Sequence, residues 1–119
     1  MHLAKANGLC IDQERDALLK IKAGFFNDSC GLLSSWNHHD CCRWHGVHCS
    51  NHTGHVIKLN LRGIDSYDGD HCLKGKLSSS LVELKQLRYL DLSLNDFNYQ
   101  PMPSSVSYTH LTLPTMRIV

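Results

Sequence analysis

The chain lacks several features that define common classes of protein. It has no apolar run near the roughly 20 residues that a membrane-crossing helix needs, so we expect no membrane span within it. Its formal net charge is +1, which gives no reason to expect nucleic acid or an acidic membrane surface as a partner. It also has no phosphate-cradling glycine loop and no nucleophile beside an oriented base. We therefore expect neither an enzyme nor a cofactor.

Cysteine, in contrast, is abundant, with six in a chain of 119 residues. In so short a chain this density favours an oxidising compartment, where disulfides stabilise a small core. Two glycosylation sequons indicate the same compartment, and we expect glycans on Asn27 and Asn51. The composition, 42% hydrophobic and 19% charged, is that of one small globular domain or of a piece of a larger protein.

Three of the cysteines lie between Asp40 and Cys49. Cys41 and Cys42 are adjacent, and neighbouring cysteines bridge each other only with severe backbone strain, so on oxidation each must find a different partner. The alternative is a zinc site, because this region is dense in thiol and imidazole groups, namely Cys42, His45, His48, Cys49, His52 and His55. Their spacing fits no common closed zinc site, whose ligand pairs are separated by a longer span. We therefore expect no bound metal.

The segment before this cluster predicts a helix of about three turns. Asp12 is placed to cap it, Glu14 adds negative charge to its first turn, and Gly24 is placed to end it. One face is apolar at helical spacing, formed by Ala17, Leu18, Ile21 and Phe25. So short a helix is marginal alone and must pack on a core. Residues 27–29 and 37–40 are predicted turns.

Residues 47–49 and 56–61 predict a β-hairpin around the turn at 50–54. From Val56 onward a second pattern begins, because two segments share the spacing L-x-x-L-x-L. They consist of Val56, Leu59 and Leu61, and of Leu87, Leu90 and Leu92, the latter followed by Asn95 and Phe97. Leucines and a glycine between them complete a unit of the leucine-rich type. The side-chain amide of Asn95 is predicted to pair backbone groups where the chain turns.

Three segments stand outside this pattern. Residues 65–72 are polar and are predicted to be a loop inserted in the first repeat. Its Asp65, Asp68, Asp70 and His71 do not match a calcium loop, so we expect solvated side chains. Residues 1–9 are either the remnant of a leader or an arbitrary start. Residues 106–119 resemble the translation of a sequencing-library adapter and are predicted to be non-native, the alternative being a genuine divergent C-terminus.

Along the chain, several motifs occur in series: Cys10, Glu14-Arg15-Asp16-Ala17-Leu18-Leu19, Leu33-Ser34-Ser35-Trp36, Asp40-Cys41-Cys42-Arg43-Trp44-His45-Gly46-Val47-His48-Cys49 and Thr53-Gly54-His55-Val56. This series resembles the N-terminal cap of plant leucine-rich-repeat cell-surface receptors, and is most similar to kinase-less receptor-like proteins of the disease-resistance type. The resemblance implies bridges from Cys10 to Cys41 and from Cys42 to Cys49. Cys30 and Cys72 depart from the usual pattern, and they either bridge each other or leave a free thiol.

The resemblance implies an α+β fold in which a helix and a hairpin, residues 10–55, cap the start of a leucine-rich-repeat solenoid, residues 56–105. Trp36 and Trp44 then belong to the core. Residues between the strand leucines would face the concave surface, where ligands bind: Lys58, Asn60, Arg62, Arg88, Tyr89, Asp91 and Ser93.

The implied role is structural. The cap belongs to an ectodomain at the plasma membrane, which recognises a peptide, protein or glycan ligand together with a co-receptor in defence or development signalling. The alternative is a secreted inhibitor of cell-wall-degrading polygalacturonases, which shares the cap.

Overall fold

The computed structural model describes residues 10–64 and 72–97, together with the backbone of 115–117. Within these residues the chain forms a short α-helix, two 3₁₀ helices and a series of short strands. Their bounds are α1 Asp12–Ala23, β1 Phe25–Asp28, β2 Val47–Cys49, β3 Val56–Asn60, β4 Leu73–Gly75, β5 Tyr89–Asp91 and β6 Thr115–Arg117, with 3₁₀ helices at Cys41–Arg43 and Ser79–Glu83. The predicted leader remnant at 1–9 and most of the predicted loop, 65–71, lie outside the described residues.

The predicted helix is present, but its first residue differs from the prediction. Ile11 is the N-cap, with extended backbone and no side-chain cap, and the backbone N–H of Arg15 donates to the Ile11 carbonyl at 2.8 Å. Asp12 is therefore already helical, and the prediction that it caps the helix is wrong. Gly24 follows the last helical residue, as predicted, and its N–H donates to the carbonyl of Ile21.

Strand β1 corrects two further predictions. Phe25 belongs to this strand rather than to the apolar face of the helix, and residues 27–28 are strand rather than turn. The cause is the pairing of β1 with β4, an antiparallel ladder that begins where the N–H of Lys76 donates to the carbonyl of Gly24 at 2.8 Å. This pairing satisfies backbone groups that an isolated turn would leave to water.

The main sheet has the order β2-β3-β5-β6, with β2 antiparallel to β3 and the other neighbours parallel. The predicted hairpin is β2 and β3. Leu59 pairs with Leu90 across β3 and β5, so equivalent leucines of successive repeats lie side by side. Gly46, at φ +81°, precedes the hairpin where a Cβ atom would meet the carbonyl oxygen of Asn60, so only glycine fits.

A single core joins the helix, the hairpin and the repeats. Its fully buried side chains come from every part of the described chain and include Leu18, Ile21, Trp36, Trp44, Val56, Leu59, Leu61, Leu73, Leu81, Leu84, Leu90 and Leu92. The α+β class, with a helix and hairpin preceding leucine-rich repeats, is thus confirmed. Thr115–Arg117 pairs with β5 in the position of a third parallel strand. That residues 106–119 are non-native stays a prediction.

Candidate functional site

The candidate site has two parts, a junction where the cap meets the first repeat and the face of the sheet turned away from the leucine core. Within the cap, Asp40 holds two segments together. Its buried carboxylate accepts hydrogen bonds from the backbone N–H groups of Cys10, at 3.0 Å, and Cys42, at 3.1 Å. It therefore fixes the starting segment of the cap beside the adjacent cysteines.

The six cysteines form three disulfides. Cys10 bonds to Cys41 and Cys42 to Cys49, the two pairs that the family resemblance implies, and Cys30 bonds to Cys72. The first two lie within the cap, whereas the third joins the cap to the first repeat. Cys41 and Cys42 thus point to different partners, as the strain argument requires.

The two tryptophans of the cap stack on each other, with ring centroids 5.0 Å apart. Trp36 Nε1 donates to the carbonyl of His45 at 3.0 Å, and Trp44 Nε1 donates to the carbonyl of His38 at 2.8 Å. Both are buried, so each ring supplies apolar area while its one polar atom is satisfied. This pair positions the turn before the hairpin and offers no surface to a ligand.

Glu14 connects the helix to the first repeat strand. It is 4% exposed, and its carboxylate accepts the N–H of Val56 at 2.8 Å while lying 2.9 Å from His55 Nδ1. Sequence reasoning assigned Glu14 only to the charge of the helix's first turn. Glu14 lies at helical spacing from Ala17, Leu18 and Ile21, which are buried. This spacing is the sequence signal that Glu14 faces the core.

Asn95 connects successive repeats. Its amide donates to the carbonyls of Leu61, at 2.7 Å, and Leu92, at 3.1 Å, and its oxygen accepts the N–H of Leu73 at 3.0 Å. The side chain is buried, and its bonds satisfy backbone groups on both repeats. The equivalent position of the first repeat holds Ile64, which is exposed and whose N–H instead donates to Cys72 Sγ at 3.1 Å.

Of the seven residues predicted for ligand contact, six alternate with the strand leucines and so share the outer face of the sheet, whereas Arg88 directly precedes β5 and is one position out of that alternation. Arg62 and Arg88 are exposed, and Lys58, Asn60 and Tyr89 are half-buried. Lys58 pairs with Tyr89 across β3 and β5, and its Nζ lies 4.7 Å from the centre of the tyrosine ring. The remaining pair, Asp91 and Ser93, are buried, so they differ from the exposed positions that the strand pattern predicts.

Asp91 lies at the centre of a polar network on this face. Ser93 Oγ donates to its Oδ1 at 2.6 Å, the Ser93 N–H donates to the same oxygen, and Arg62 lies 3.9 Å from Oδ2. Burial raises the pKa of Asp91, but the hydrogen bonds from Ser93 and the charge of Arg62 outweigh it, and the net pKa is lowered. The carboxylate is therefore held ionised, and its oxygens interact with groups of the protein itself.

Comparison with known proteins identifies this architecture. Residues 11–50 match the family model of the leucine rich repeat N-terminal domain. Receptor-like protein EIX2 of Solanum lycopersicum is 47% identical over 100 residues, which cover 80% of this chain and 10% of that relative. Residues 11–50 are a leucine-rich-repeat N-terminal domain, and the chain is similar over most of its length to receptor-like proteins.

Two solved structures share the fold. The crystal structure of the BIR2 ectodomain from Arabidopsis thaliana is 27% identical, with a TM-score of 0.65 over 92% of this chain and 55% of that one. The crystal structure of a plant ice-binding protein is 26% identical, with a TM-score of 0.68 over 91% of this chain and 32% of that one. The chain spans about a tenth of the length of the curated receptor-like proteins EIX2 and EIX1 that it matches.

The zinc alternative finds no support in this leucine-rich-repeat cap. Cys42 and Cys49 are bonded to each other, so neither offers a thiolate. Among residues 10–64 and 72–97, no group of three or more histidine, cysteine or acidic side chains is arranged to hold a metal ion. Nor is any helix in the described part long and apolar enough to cross a membrane.

Proposed function

We propose that residues 10–55 act as the N-terminal cap of an extracellular leucine-rich-repeat ectodomain, and that this role is structural and not catalytic. A solenoid of stacked repeats ends in an open apolar face and an open strand edge, both of which water or a second chain would reach. The cap covers both. In the full-length protein the ectodomain would lie at the outer face of the plasma membrane.

The covered strand edge is the observation that carries this proposal. Strand β2 pairs antiparallel with the outer edge of β3, the first strand of the parallel series, and so satisfies its ladder. The helix α1 lies against the 3₁₀ helix Ser79–Glu83 of the following repeat, with Leu18 and Ile21 fully buried. The cap therefore closes the sheet edge and the apolar end together.

We also propose that the outer face of the sheet contributes to contact with an extracellular peptide, protein or glycan ligand, and with a co-receptor, in the full-length protein. Exposed Arg62 and the Lys58–Tyr89 pair lie on this face, and exposed Arg88 directly precedes Tyr89 in the chain. Their positive charges favour an anionic or planar group. Asp91 and Ser93 would hold Arg62 in position and would not themselves touch the ligand. A receptor is favoured over a secreted polygalacturonase inhibitor because the matched curated relative is a receptor-like protein.

The test is a chimera in which residues 10–97 of this chain replace the matching segment of Receptor-like protein EIX2. We expect the chimera to reach the cell surface at close to the parent's abundance, measured by surface biotinylation of leaf cells. Leu18→Asp places a charge at a fully buried cap position, so we expect surface abundance to fall several-fold through retention of misfolded protein.

Lys20→Asp is the matched control, because it places the same charge on the exposed side of the same helix and should leave surface abundance unchanged. Equal surface abundance of the Leu18→Asp and Lys20→Asp chimeras would show that the cap is dispensable. Failure of the unsubstituted chimera to leave the secretory pathway would also contradict the proposal.

A further inference from the structure

We propose that the outer face of the sheet binds an acidic segment of a protein partner, which lies in extended form along β3 and places carboxylates on Lys58 and Arg62. The inference rests on the ligand contact proposed above for this face, and it deepens that contact by naming the class of ligand. It commits to a peptide that carries carboxylates, whereas the contact proposed above includes glycans and uncharged peptides.

The charged side chains of the outer face are unequally exposed. Lys58 is half-buried and half of the Arg62 side chain is exposed, whereas the Asp91 side chain is only 3% exposed. His48 is exposed and pairs with Lys58 across β2 and β3, so it adds an imidazole to the same row. A partner that approaches the described part of this face therefore meets positive charge, which is complementary to carboxylates.

The guanidinium group of Arg62 is held in place through a hydroxyl. Its Nη1 donates to Ser93 Oγ at 3.1 Å, and that hydroxyl donates in turn to Asp91 Oδ1 at 2.6 Å. The direct distance from Nη1 to Asp91 Oδ2 is 3.9 Å, which is too long for a hydrogen bond. Asp91 thus orients Arg62 without occupying the two-pronged donor edge with which a guanidinium binds a carboxylate.

The charge of Asp91 does not cancel the attraction for a second carboxylate. Its Oδ1 accepts from the N–H and the hydroxyl of Ser93, and its Oδ2 accepts from the hydroxyl of Tyr89 at 3.4 Å. A carboxylate bound on the exposed side of Arg62 lies closer to the guanidinium than to Asp91, so attraction exceeds repulsion. The ammonium of Lys58 contacts the ring of Tyr89, and a ring carries no net charge to neutralise it.

The spacing along β3 favours an extended peptide. Lys58, Asn60 and Arg62 alternate with the buried Leu59 and Leu61, so they recur on the outer face every two residues, or about every 6.6 Å. Alternate side chains of an extended peptide have the same repeat. A peptide that lies along β3 can therefore bring side chains four positions apart to Lys58 and Arg62 together. Between them, the amide of Asn60 offers a donor and an acceptor to the peptide backbone.

A sugar ring fits this face less well. Aromatic rings offer ligands a flat apolar surface for stacking, and Tyr89 is the aromatic side chain of the described outer face. The ammonium of Lys58 lies 4.7 Å from the centre of that ring, where a stacked sugar would lie. The hydroxyl of Tyr89 is bonded to Asp91. The polar and charged groups beside the ring are thus better suited to carboxylates than to a stacked sugar.

The test is the binding of synthetic peptides to the full 119-residue chain, secreted from eukaryotic cells. Fluorescence anisotropy gives the Kd at physiological ionic strength, where charges beyond about 8 Å are largely screened. The first probe is a fluorescein-labelled serine–threonine peptide with two glutamates four positions apart, which share one face of an extended chain. The second has glutamines there, and the third has its glutamates three positions apart, on opposite faces. We expect the first probe to bind about tenfold more tightly than the second and about threefold more tightly than the third.

Variants of the two basic residues locate the contact. Arg62→Gln should weaken binding of the first probe about tenfold and Lys58→Gln about threefold, because paired hydrogen bonds are stronger than contact with a point charge. Arg62→Lys keeps the charge but loses the fork, so it should still weaken binding about threefold. Lys20→Gln is the matched control, because it removes a positive charge from the exposed side of α1 and should leave the Kd unchanged. Thermal unfolding checks that each variant is folded.

Equal binding of the glutamate and glutamine peptides, or no binding of any peptide, would overturn the proposal. Tighter binding of an oligomer of galacturonic acid, lost in Arg62→Gln, would assign the face to acidic glycans. That result would overturn the peptide inference while leaving the outer face as a ligand surface. Binding of the first probe that survives both Lys58→Gln and Arg62→Gln would contradict the outer face as a ligand surface as well. The role of the cap is tested separately, by the surface abundance of the chimera.

Discussion

The cap and the repeats are stabilised in different ways, although they share one core. In the repeats, leucines recur in register and a single asparagine satisfies backbone groups on two successive turns. In the cap, in contrast, the contacts do not recur along the chain. Asp40 fixes two N–H groups, Glu14 fixes another, and disulfides join segments far apart in the chain.

This difference follows from what each region must do. A repeat must match its neighbours, so its contacts can be copied from one turn to the next. A cap must pack against a repeat on one side and face water on the other. Repeating the contacts that join two repeats cannot meet both demands. Removing single contacts in each region should therefore separate the two modes of stabilisation.

The largest effect is expected from the cap disulfide that closes the longer loop. Replacing Cys10 and Cys41 with alanine frees a loop with a sequence separation of 31 residues. The chain-entropy model predicts a loss of about 3.7 kcal/mol in the free energy of unfolding. Urea unfolding of the secreted protein measures it.

The matched control replaces Cys42 and Cys49, whose separation is 7 residues, and the same model predicts a loss of about 2.5 kcal/mol. If the repeats kept full amide protection after loss of the longer bridge, the cap and repeats would be separate folding units. The shared core predicts the opposite.

A somewhat smaller effect is expected from Asn95→Ala. This change leaves the carbonyls of Leu61 and Leu92 and the N–H of Leu73 without their side-chain partner in a buried site. We expect a loss of about 3 kcal/mol in the free energy of unfolding, measured by urea titration. Asn60→Ala, at a half-buried position on the outer face, should cost below about 0.5 kcal/mol. Equal losses for the two variants would show that the hydrogen bonds of Asn95 contribute no more to the free energy of unfolding than the side chain of Asn60.

Glu14→Ala tests the contact between helix and first repeat. It leaves the N–H of Val56 and the ring of His55 without the carboxylate, and we expect a loss of about 2 kcal/mol by thermal or urea unfolding. Glu14→Gln keeps one acceptor oxygen and should lose less. Asp16→Ala, an exposed acidic residue on the same helix, is the control and should change stability by less than about 0.5 kcal/mol. A similar loss for Asp16→Ala would show that the effect of Glu14→Ala comes from the negative charge on the helix and not from the contact with Val56 and His55.

The smallest effect concerns the pH dependence of the repeats. The folded-state pKa of Asp91 is below its ordinary value of 3.8, so its ionised form stabilises the fold at higher pH. This contribution is fully present above the ordinary value and is lost as the pH falls through the lower folded value. Asp91→Asn should therefore flatten the stability profile there. Parallel profiles for the parent and Asp91→Asn would contradict the shift.

Sequence periodicity predicts the repeats well because the same leucine spacing recurs from one repeat to the next. Leu59, Leu61, Leu90 and Leu92 are all fully buried at the spacing that predicts them. Asn95 also makes the type of bond that the repeat pattern predicts. Burial of Asp91 and Ser93 is not predictable from the same pattern, because it depends on what the adjoining strand and Arg62 place around them.

The cap is predictable in outline but not in its contacts. The spacing of Leu18 and Ile21 predicts the helix, and the glycine at position 24 predicts its end. Strand β1 cannot be predicted from its own residues, because they have the composition of a turn. Its partner β4 lies about 45 residues later in the chain. The hydrogen bond between Glu14 and Val56 likewise depends on a strand that begins far along the chain, although the helical spacing of Glu14 already places it on the buried face.

The bridge between Cys30 and Cys72 has a consequence for how this chain tolerates change in length. Ile64 and Cys72 meet through a hydrogen bond, and Cys72 is bonded to the cap, so these two residues are held close together. Lengthening the segment between them costs only loop-closure entropy, about 0.6 kcal/mol for each doubling. We therefore expect insertions between Ile64 and Cys72 to be tolerated at a small cost in the free energy of unfolding.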